Sequence, residues 1–289
     1  MNIDKEELNQ ALKFYEIDDV AYANNCYRCL EFLNNNKEFK NEADKVYSIL
    51  YEDTENKIAD LWKFKDIKEL FGEENNPYIT NILVLSGYKT HLNNMKKFNL
   101  DSEQCKIHKI RVKETLTNDI YQRNYDGIRI SQMIWGAYFI NLKLIEVGRL
   151  QYEKSILNPI TKQKENCIKI HIPRSDSLDN QLVKKSIEES KTLIEKYFKL
   201  KDYKYYCNSW LLSKQIQELL DENSNIAKFY KMFEVTEGEE CTADILNFVY
   251  NVRKCDNYDN LEEGTSLQRN VKKLLKNEII IKTGIGILK

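Results

Sequence analysis

The chain has 289 residues with 42% hydrophobic and 31% charged residues and only 3 Pro and 9 Gly. That composition excludes disordered, collagenous and Pro-rich adaptor classes and leaves ample material for a globular core. The 44 Lys and Arg against 45 Asp and Glu give a formal charge of −1, so no global field draws in nucleic acid or an anionic membrane, and neither is expected as a partner. No run of eighteen apolar residues occurs, and MNIDKEELNQ has no basic region followed by a hydrophobic run. The expectation is a cytoplasmic protein without a signal peptide or membrane span. Seven cysteines, an odd and scattered set, read as reduced thiols.

In chain order, residues 1–124 read as an all-helical domain. Asp4 and Glu7 have capping-box spacing ahead of Leu8, Leu12 and Tyr15. Tyr22, Cys26, Cys29, Leu30 and Leu33 recur at steps of three and four, which puts both thiols of the CYRC motif on a buried helical stripe. With no second Cys pair or His-x-x-x-His element to complete four ligands, no metal is expected. Pro77 after Asn76 predicts a helix start, with Ile79, Ile82 and Leu83 on its apolar side. His91 and His108 stand in Lys-rich helical text and read as surface or capping residues.

NYDG, residues 124–127, is a turn signal, and beyond it strand-like and helix-like segments alternate. LKLIEVGRLQYE reads as a strand or strand pair broken at Gly148, NCIKIHIP as a second strand and DYKYYCNSWLL as a third. The latter two lead into helices, and TSLQ opens a last helix before the terminal strand EIIIKTGIGIL. The predicted class is α/β (α+β), with a helical domain over 1–124 and a mixed sheet flanked by helices over 125–289.

Chemistry in such a sheet belongs at strand ends that pass into helices. One such turn runs from His171 through Ile172, Pro173, Arg174 and Ser175 to Ser177; it reads as a phosphate cradle or as ordinary helix capping with a solvated Arg. A second is Tyr205–Trp210, where alternation puts Cys207 and Ser209 on one face and Tyr206 and Asn208 on the other. Cys207 is a buried inert thiol or, with His171 as base, a nucleophile. Glu146, Arg149, Gln151 and Glu153 crowd polar groups into an apolar strand, and Glu146 reads as a general base or as an ion-pair partner of Arg149 or Arg269.

EVGRLQYE (146–153), IHIPRSDSL (170–178), CNSWLLSKQIQELLDENSNIAKFYKMF (207–233), GTSLQRNVKKLLKN (264–277) and TGIGIL (283–288) stand in an order that resembles a known family. Its members are bacterial acyltransferase-domain proteins with a helical N-terminal domain and a C-terminal domain like the general N-acetyltransferase (GNAT) fold. The resemblance implies a mixed sheet holding acyl-CoA, acetyl-CoA or an acyl carrier protein's thioester where two strands splay, and transfer by direct attack to an amine or small-metabolite acceptor. It implies Glu146 as base, His171 as base or oxyanion-side donor and Cys207 or Ser209 as proton donor. Ile172, Pro173, Arg174, Ser175 and Ser177 would then face the cofactor's phosphates. The glycine-rich pyrophosphate loop of ordinary GNAT enzymes is absent, so a noncatalytic module binding an acyl thioester or a protein stays open beside the enzyme.

Overall fold

The computed structural model describes residues 1, 3–53, 57–174, 177–252 and 254–289. It divides into two compact units, Met1–Ile145 and Glu146–Lys289.

The first unit is helical: α1 (Lys5–Phe14), α2 (Val20–Asn35), α3 (Lys37–Tyr51), a 3₁₀ segment (Lys57–Lys63), α4 (Ile67–Phe71), α5 (Ile79–Ser86), α6 (Tyr88–Lys97), α7 (Ser102–Arg123) and α8 (Ile130–Ile140). The Asp4–Glu7 capping box forms at the start of α1. Cys26 and Cys29 are wholly buried on the apolar stripe of α2 with Tyr22, Leu30 and Leu33, and burial pushes the Cys26 thiol up to about 12. These are core thiols. The boundary expected at 124/125 falls instead inside β1, because Ile130, Met133, Ile134, Ala137 and Phe139 of α8 belong to the helical core.

His91 and His108 are not surface or capping residues: both are fully buried. His91 lies on the stripe of α6 shared by Tyr88 and Met95, and His108 on that of α7 shared by Gln104, Val112 and Thr115. Lys89, Lys96, Lys97 and Lys106 around them are exposed and hide this spacing from a composition-based reading. His91 Nδ1 meets the Tyr15 hydroxyl at 3.1 Å. His108 Nδ1 donates to the Phe139 carbonyl at 3.3 Å, and the two rings are 5.9 Å apart.

The NYDG turn closes on an ion pair of buried Asp119 and half-buried Arg129. Asp119 accepts from Arg129 Nε and Nη2, both at 2.8 Å, and from the Arg129 main-chain N–H at 3.2 Å. Asn124 ends α7 in the left-handed region. Gly127 has φ +77°, and a Cβ there would stand 2.0 Å from the Pro77 carbonyl oxygen. Gly127→Ala is therefore expected to cost about 2 kcal/mol or more, the sum of left-handed strain and backbone overlap. Thermal unfolding checks this, and an unchanged midpoint would contradict it.

The second unit is built on β1 (Leu144–Val147), β2 (Leu150–Leu157), β3 (Lys164–His171), β4 (Lys204–Ser209), β5 (Phe233–Glu240) and β6 (Lys282–Leu288), in the order β1-β2-β3-β4-β6-β5. Its helices are α9 (Asn180–Leu193), continued by a π turn over Ile194–Phe198, α10 (Lys214–Gln217), α11 (Asn225–Tyr230), α12 (Thr242–Val249) and α13 (Ser266–Lys276). β3 and β4 are parallel, while β2–β3, β4–β6 and β5–β6 are antiparallel, a mixed sheet as expected. The Thr265–Gln268 capping box opens α13. Val271 and Leu275 of that helix pack with Ile245 and Leu246 of α12 and with Ile281 in a second core. Close strand-to-loop packing depends on Gly284, whose Cβ would meet the Leu212 carbonyl oxygen at 2.1 Å.

Candidate active site at the splayed strand ends

The register sorts the polar residues by face. Gln151 pairs with His171 and Glu153 with Lys169 across β2 and β3, and Lys169 pairs with Tyr206 across β3 and β4. Because paired residues point the same way and side chains alternate, Gln151, Glu153, Lys169, His171, Tyr206 and Asn208 share one face. Tyr152, Ile168, Ile170, Tyr205 and Cys207 share the other. α9 covers that second face through Ser186, bonded to the Tyr152 hydroxyl at 2.8 Å, and Ser190, bonded to that of Tyr205 at 2.7 Å.

On the first face His171 Nε2 meets Glu153 Oε2 at 2.8 Å, and Lys169 Nζ donates to Glu153 Oε1 at 3.1 Å. Burial alone raises the Glu153 carboxyl, but the His171 hydrogen bond and charge, with Lys169 behind them, outweigh it and hold the pKa below the ordinary value. The ionised carboxylate can only accept, so the imidazole donates to it through Nε2. The His171 side chain keeps 27% of its surface exposed while that of Glu153 keeps 11%, so the ring is the more open to solvent of the two.

Glu146 joins this face by a route the strand pattern does not give. β1 and β2 are neighbours joined through Gly148, at φ +55°, and Arg149. The chain reverses there, and alternation does not run through the glycine. Glu146 accepts from Gln151 Nε2 at 2.7 Å, a buried contact, and Gln151 lies directly across from His171. Glu146 is thus brought, through Gln151, to the strand position that faces His171.

Cys207 and Ser209 are not. Cys207 points to the α9 side, fully buried, its thiol pushed up to about 12 by burial. The pairing places it on the sheet face opposite His171, which removes the base a nucleophilic cysteine needs. Ser209 Oγ accepts from the Leu211 main-chain N–H at 3.1 Å and caps the 3₁₀ turn Trp210–Leu212. Under the acyl transfer that the sequence resemblance implies, Cys207→Ala is accordingly expected to leave the rate within about threefold of the parent, because no reacting atom is removed. A free-thiol release assay checks this, and a hundredfold loss would restore the thiol to the chemistry.

β3 and β4 part at this end. Their register runs Cys167↔Lys204, Ile168↔Tyr205 and Lys169↔Tyr206, while β3 continues to His171 and β4 to Ser209. Past Lys169 and Tyr206 no further pair joins the two strands, and His171 lies on this stretch of β3. A cavity of about 650 Å³ lined by Lys184, Ile187, Tyr203, Tyr205 and Leu288 lies at the start of β4, the other end of that strand.

The turn after β3 is bound to its own protein. Arg174 donates to the Asn247 carbonyl and, at 3.3 Å, to Asn251 Oδ1, with its guanidinium 5.3 Å from the Phe248 ring centre. It anchors the turn to the C-terminal end of α12, where free carbonyls welcome a cation. Buried Arg149 donates through Nε to the Ser177 carbonyl at 2.9 Å, and Asn225 donates to Ser177 Oγ at 3.2 Å. Asp179 caps α9, accepting from the Gln181 and Leu182 N–H groups at 2.8 and 3.1 Å. Ile172 and Pro173 are half-buried, and Ser175 lies outside the described residues. Among the described residues no group of three or more His, Cys, Asp or Glu side chains could hold a metal, and no helix is long and apolar enough to cross a membrane.

Glu153 is the residue of this cluster that single-strand reading left without a role. Its signal is the period-two pairing of Gln151-x-Glu153 with Lys169-x-His171, two short polar rows that match only when the strands are laid antiparallel.

A mixed sheet with one parallel pair that parts beside a His–Glu pair defines an α/β domain of the GNAT-like class. Residues 144–288 match the GNAT-like C-terminal domain family, and the chain belongs to that family. Three solved structures share the fold. An acyltransferase mutant in complex with octanoyl-CoA is 18% identical with a TM-score of 0.76, covering 98% of this chain and 88% of that one. An acyltransferase in complex with decanoyl-CoA and teicoplanin is 20% identical with a TM-score of 0.64, covering 74% of this chain and 66% of that one. An acyltransferase with decanoyl-CoA is 14% identical with a TM-score of 0.65 and covers 99% of both chains. No curated protein matches the chain.

Proposed function

We propose that this protein transfers an acyl group from a CoA thioester directly to an amine of a small-molecule acceptor, with His171 as the proton-transfer residue and Glu153 as the residue that holds it. The observation that carries the reading is the 2.8 Å His171–Glu153 contact at the end of the parallel pair where β3 and β4 part. The fold shared with acyltransferases holding octanoyl-CoA and decanoyl-CoA supports the donor class. The relative that holds teicoplanin beside decanoyl-CoA supports a small-molecule acceptor.

An alkyl ammonium, with a pKa of about 10.4, cannot attack until it is deprotonated. In the proposed sequence one ammonium proton passes to solvent, and the amine nitrogen then attacks the thioester carbonyl. As the C–N bond forms, the second proton moves to the His171 imidazole. Glu153 stabilises the resulting imidazolium, and main-chain N–H groups where β3 and β4 cease to pair serve the developing oxyanion. The C–S bond breaks and His171 returns its proton to the leaving sulfur, so amide and free thiol form with the imidazole neutral again. Glu146, through Gln151, fixes the polar wall beside His171.

Incubation with octanoyl-CoA and a panel of primary amines tests this. The expected result is free-thiol release that depends on the amine, with the matching amide found by mass spectrometry. Saturable acyl-CoA binding without amide formation across the panel favours the noncatalytic reading, to which the glycine-free turn and the self-capped α9 lend support.

A further inference from the structure

The cavity of about 650 Å³ at the start of β4 has the size of a small-molecule pocket, which spans roughly 300–1,000 Å³. Its lining divides by chemistry. Lys184, Ile187, Glu188 and Lys191 recur at steps of three and four and bring one face of α9 to it. With Lys204, Lys231 and Lys289 the lining carries five lysine side chains against one side-chain carboxylate, Glu188. Counting the main-chain carboxylate of Lys289 leaves it positive. Glu188 is held by Lys191 at 2.6 Å, Lys231 reaches Glu222 only at 3.9 Å, and the ion pairs of α9 among the described residues use Lys185 and Lys191 but not Lys184. Exposed pairs of this kind are weak and exchange readily for a more highly charged partner. The rest of the lining is apolar: buried Ile187 and Tyr205, with half-buried Tyr203, Met232 and Leu288. Ser190 holds the Tyr205 hydroxyl at 2.7 Å, and the Tyr203 ring stands at 85° to that of Tyr205 with centres 5.3 Å apart.

Lysines are mobile point charges and suit an anion whose charge is spread over several phosphate oxygens, whereas planar pairing with a single carboxylate is the work of arginine, and no arginine is among the described residues of this lining. Tyrosine rings and aliphatic side chains suit a flat aromatic body. From this we infer that the cavity is a second ligand site of the domain, taking a small molecule that joins an aromatic ring to several phosphate charges, the chemistry of a nucleoside polyphosphate, and that it is separate from the acyl-donor site. The two places lie at opposite ends of β4, which runs from Lys204 at the cavity to Ser209, beyond the last pair with β3. The inference stands on this lining and does not need the acyl-transfer reading. The nucleotide of an acyl-CoA has the same chemistry, so the test separates the two sources.

Calorimetric titration of the full chain with ATP, inorganic triphosphate and adenosine tests it, repeated on the double variant Lys184→Glu, Lys231→Glu, whose two positions are exposed. ATP is expected to bind saturably and at least about tenfold more tightly than triphosphate or adenosine alone. The double variant should weaken ATP by about tenfold or more, the scale of lost charge-assisted contacts, while its thermal unfolding midpoint stays that of the parent. Saturating ATP should leave a titration with octanoyl-CoA unchanged. No binding of ATP overturns the inference, as does triphosphate or adenosine binding as tightly as ATP, or an ATP affinity that the double variant does not alter. Displacement of octanoyl-CoA by ATP makes the cavity part of the donor's own site, which overturns a separate site and leaves acyl transfer standing. Failure of octanoyl-CoA to bind while ATP binds as expected removes the acyl-transfer reading and supports this site.

Discussion

His171→Ala lowers kcat for acyl transfer by about 10²–10⁴-fold, the range for removing a general base or acid, with KM for the acyl-CoA changing by less than about threefold. The split follows from the geometry. His171 stands where β3 and β4 cease to pair, the place the proposal gives the reacting carbonyl, and the main chains there do not depend on its side chain. Glu153→Gln is expected to reproduce much of this loss. The amide can present its N–H to Nε2 and impose the other tautomer, and it cannot stabilise an imidazolium. Glu153→Asp, which keeps the charge and shortens the reach, recovers part of the rate. Steady-state kinetics with octanoyl-CoA checks all three, and a Glu153→Gln variant with unchanged kcat contradicts the proposed coupling. Because Glu153 also bonds Lys169, thermal unfolding of each variant separates lost chemistry from lost folding.

The helical unit should be sensitive to acid. Burial, followed for His91 by the neighbouring charges of His108 and Lys109, holds His91 well below the ordinary value. Burial lowers His108 to about 4, against the opposing pull of its bond to Phe139. Both are therefore neutral in the fold while the unfolded chain protonates near pH 6.5. Between those values the unfolded state binds more protons, so stability is greatest above the unfolded pKa and falls as pH drops toward 4. For His108 alone the loss reaches on the order of 3 kcal/mol at the bottom of that window, since each pH step of one between the two pKa values removes about 1.4 kcal/mol. Denaturant unfolding followed at several pH values between 7 and 4 checks this. His108→Leu should flatten the pH dependence, whereas equal slopes in parent and variant would place the acid sensitivity elsewhere.

Which parts of this were legible in the sequence follows from how local each signal is. Capping boxes are four-residue events, and both Asp4–Glu7 and Thr265–Gln268 form. The CYRC thiols are fixed by helical spacing alone and lie in the core. The division of the chain is less local: α8 reads as the first element after a turn, yet its apolar residues face the helical core, and a turn signal does not say which side a helix packs on. β5 carries only Phe233 and Val235 among Glu and Thr and lies at the sheet edge, so it lacks the apolar alternation of an inner strand. The site was half readable. His171 and the polar crowding of 146–153 stand out in one dimension, but the pairing of Glu153 with His171 needs the antiparallel register of β2 and β3. The separation of Cys207 from His171 needs the parallel register of β3 and β4. Arg174 shows the same limit: its charge is visible in sequence, while its use by α12, more than seventy residues on, is not.

The most direct test of direct transfer on the His171 side of the sheet is intact-mass analysis of the protein under turnover with octanoyl-CoA and an accepted amine. Direct attack predicts amide and free CoA accumulating while the protein keeps its unmodified mass. A protein mass raised by one octanoyl group, mapped to Cys207, would contradict it.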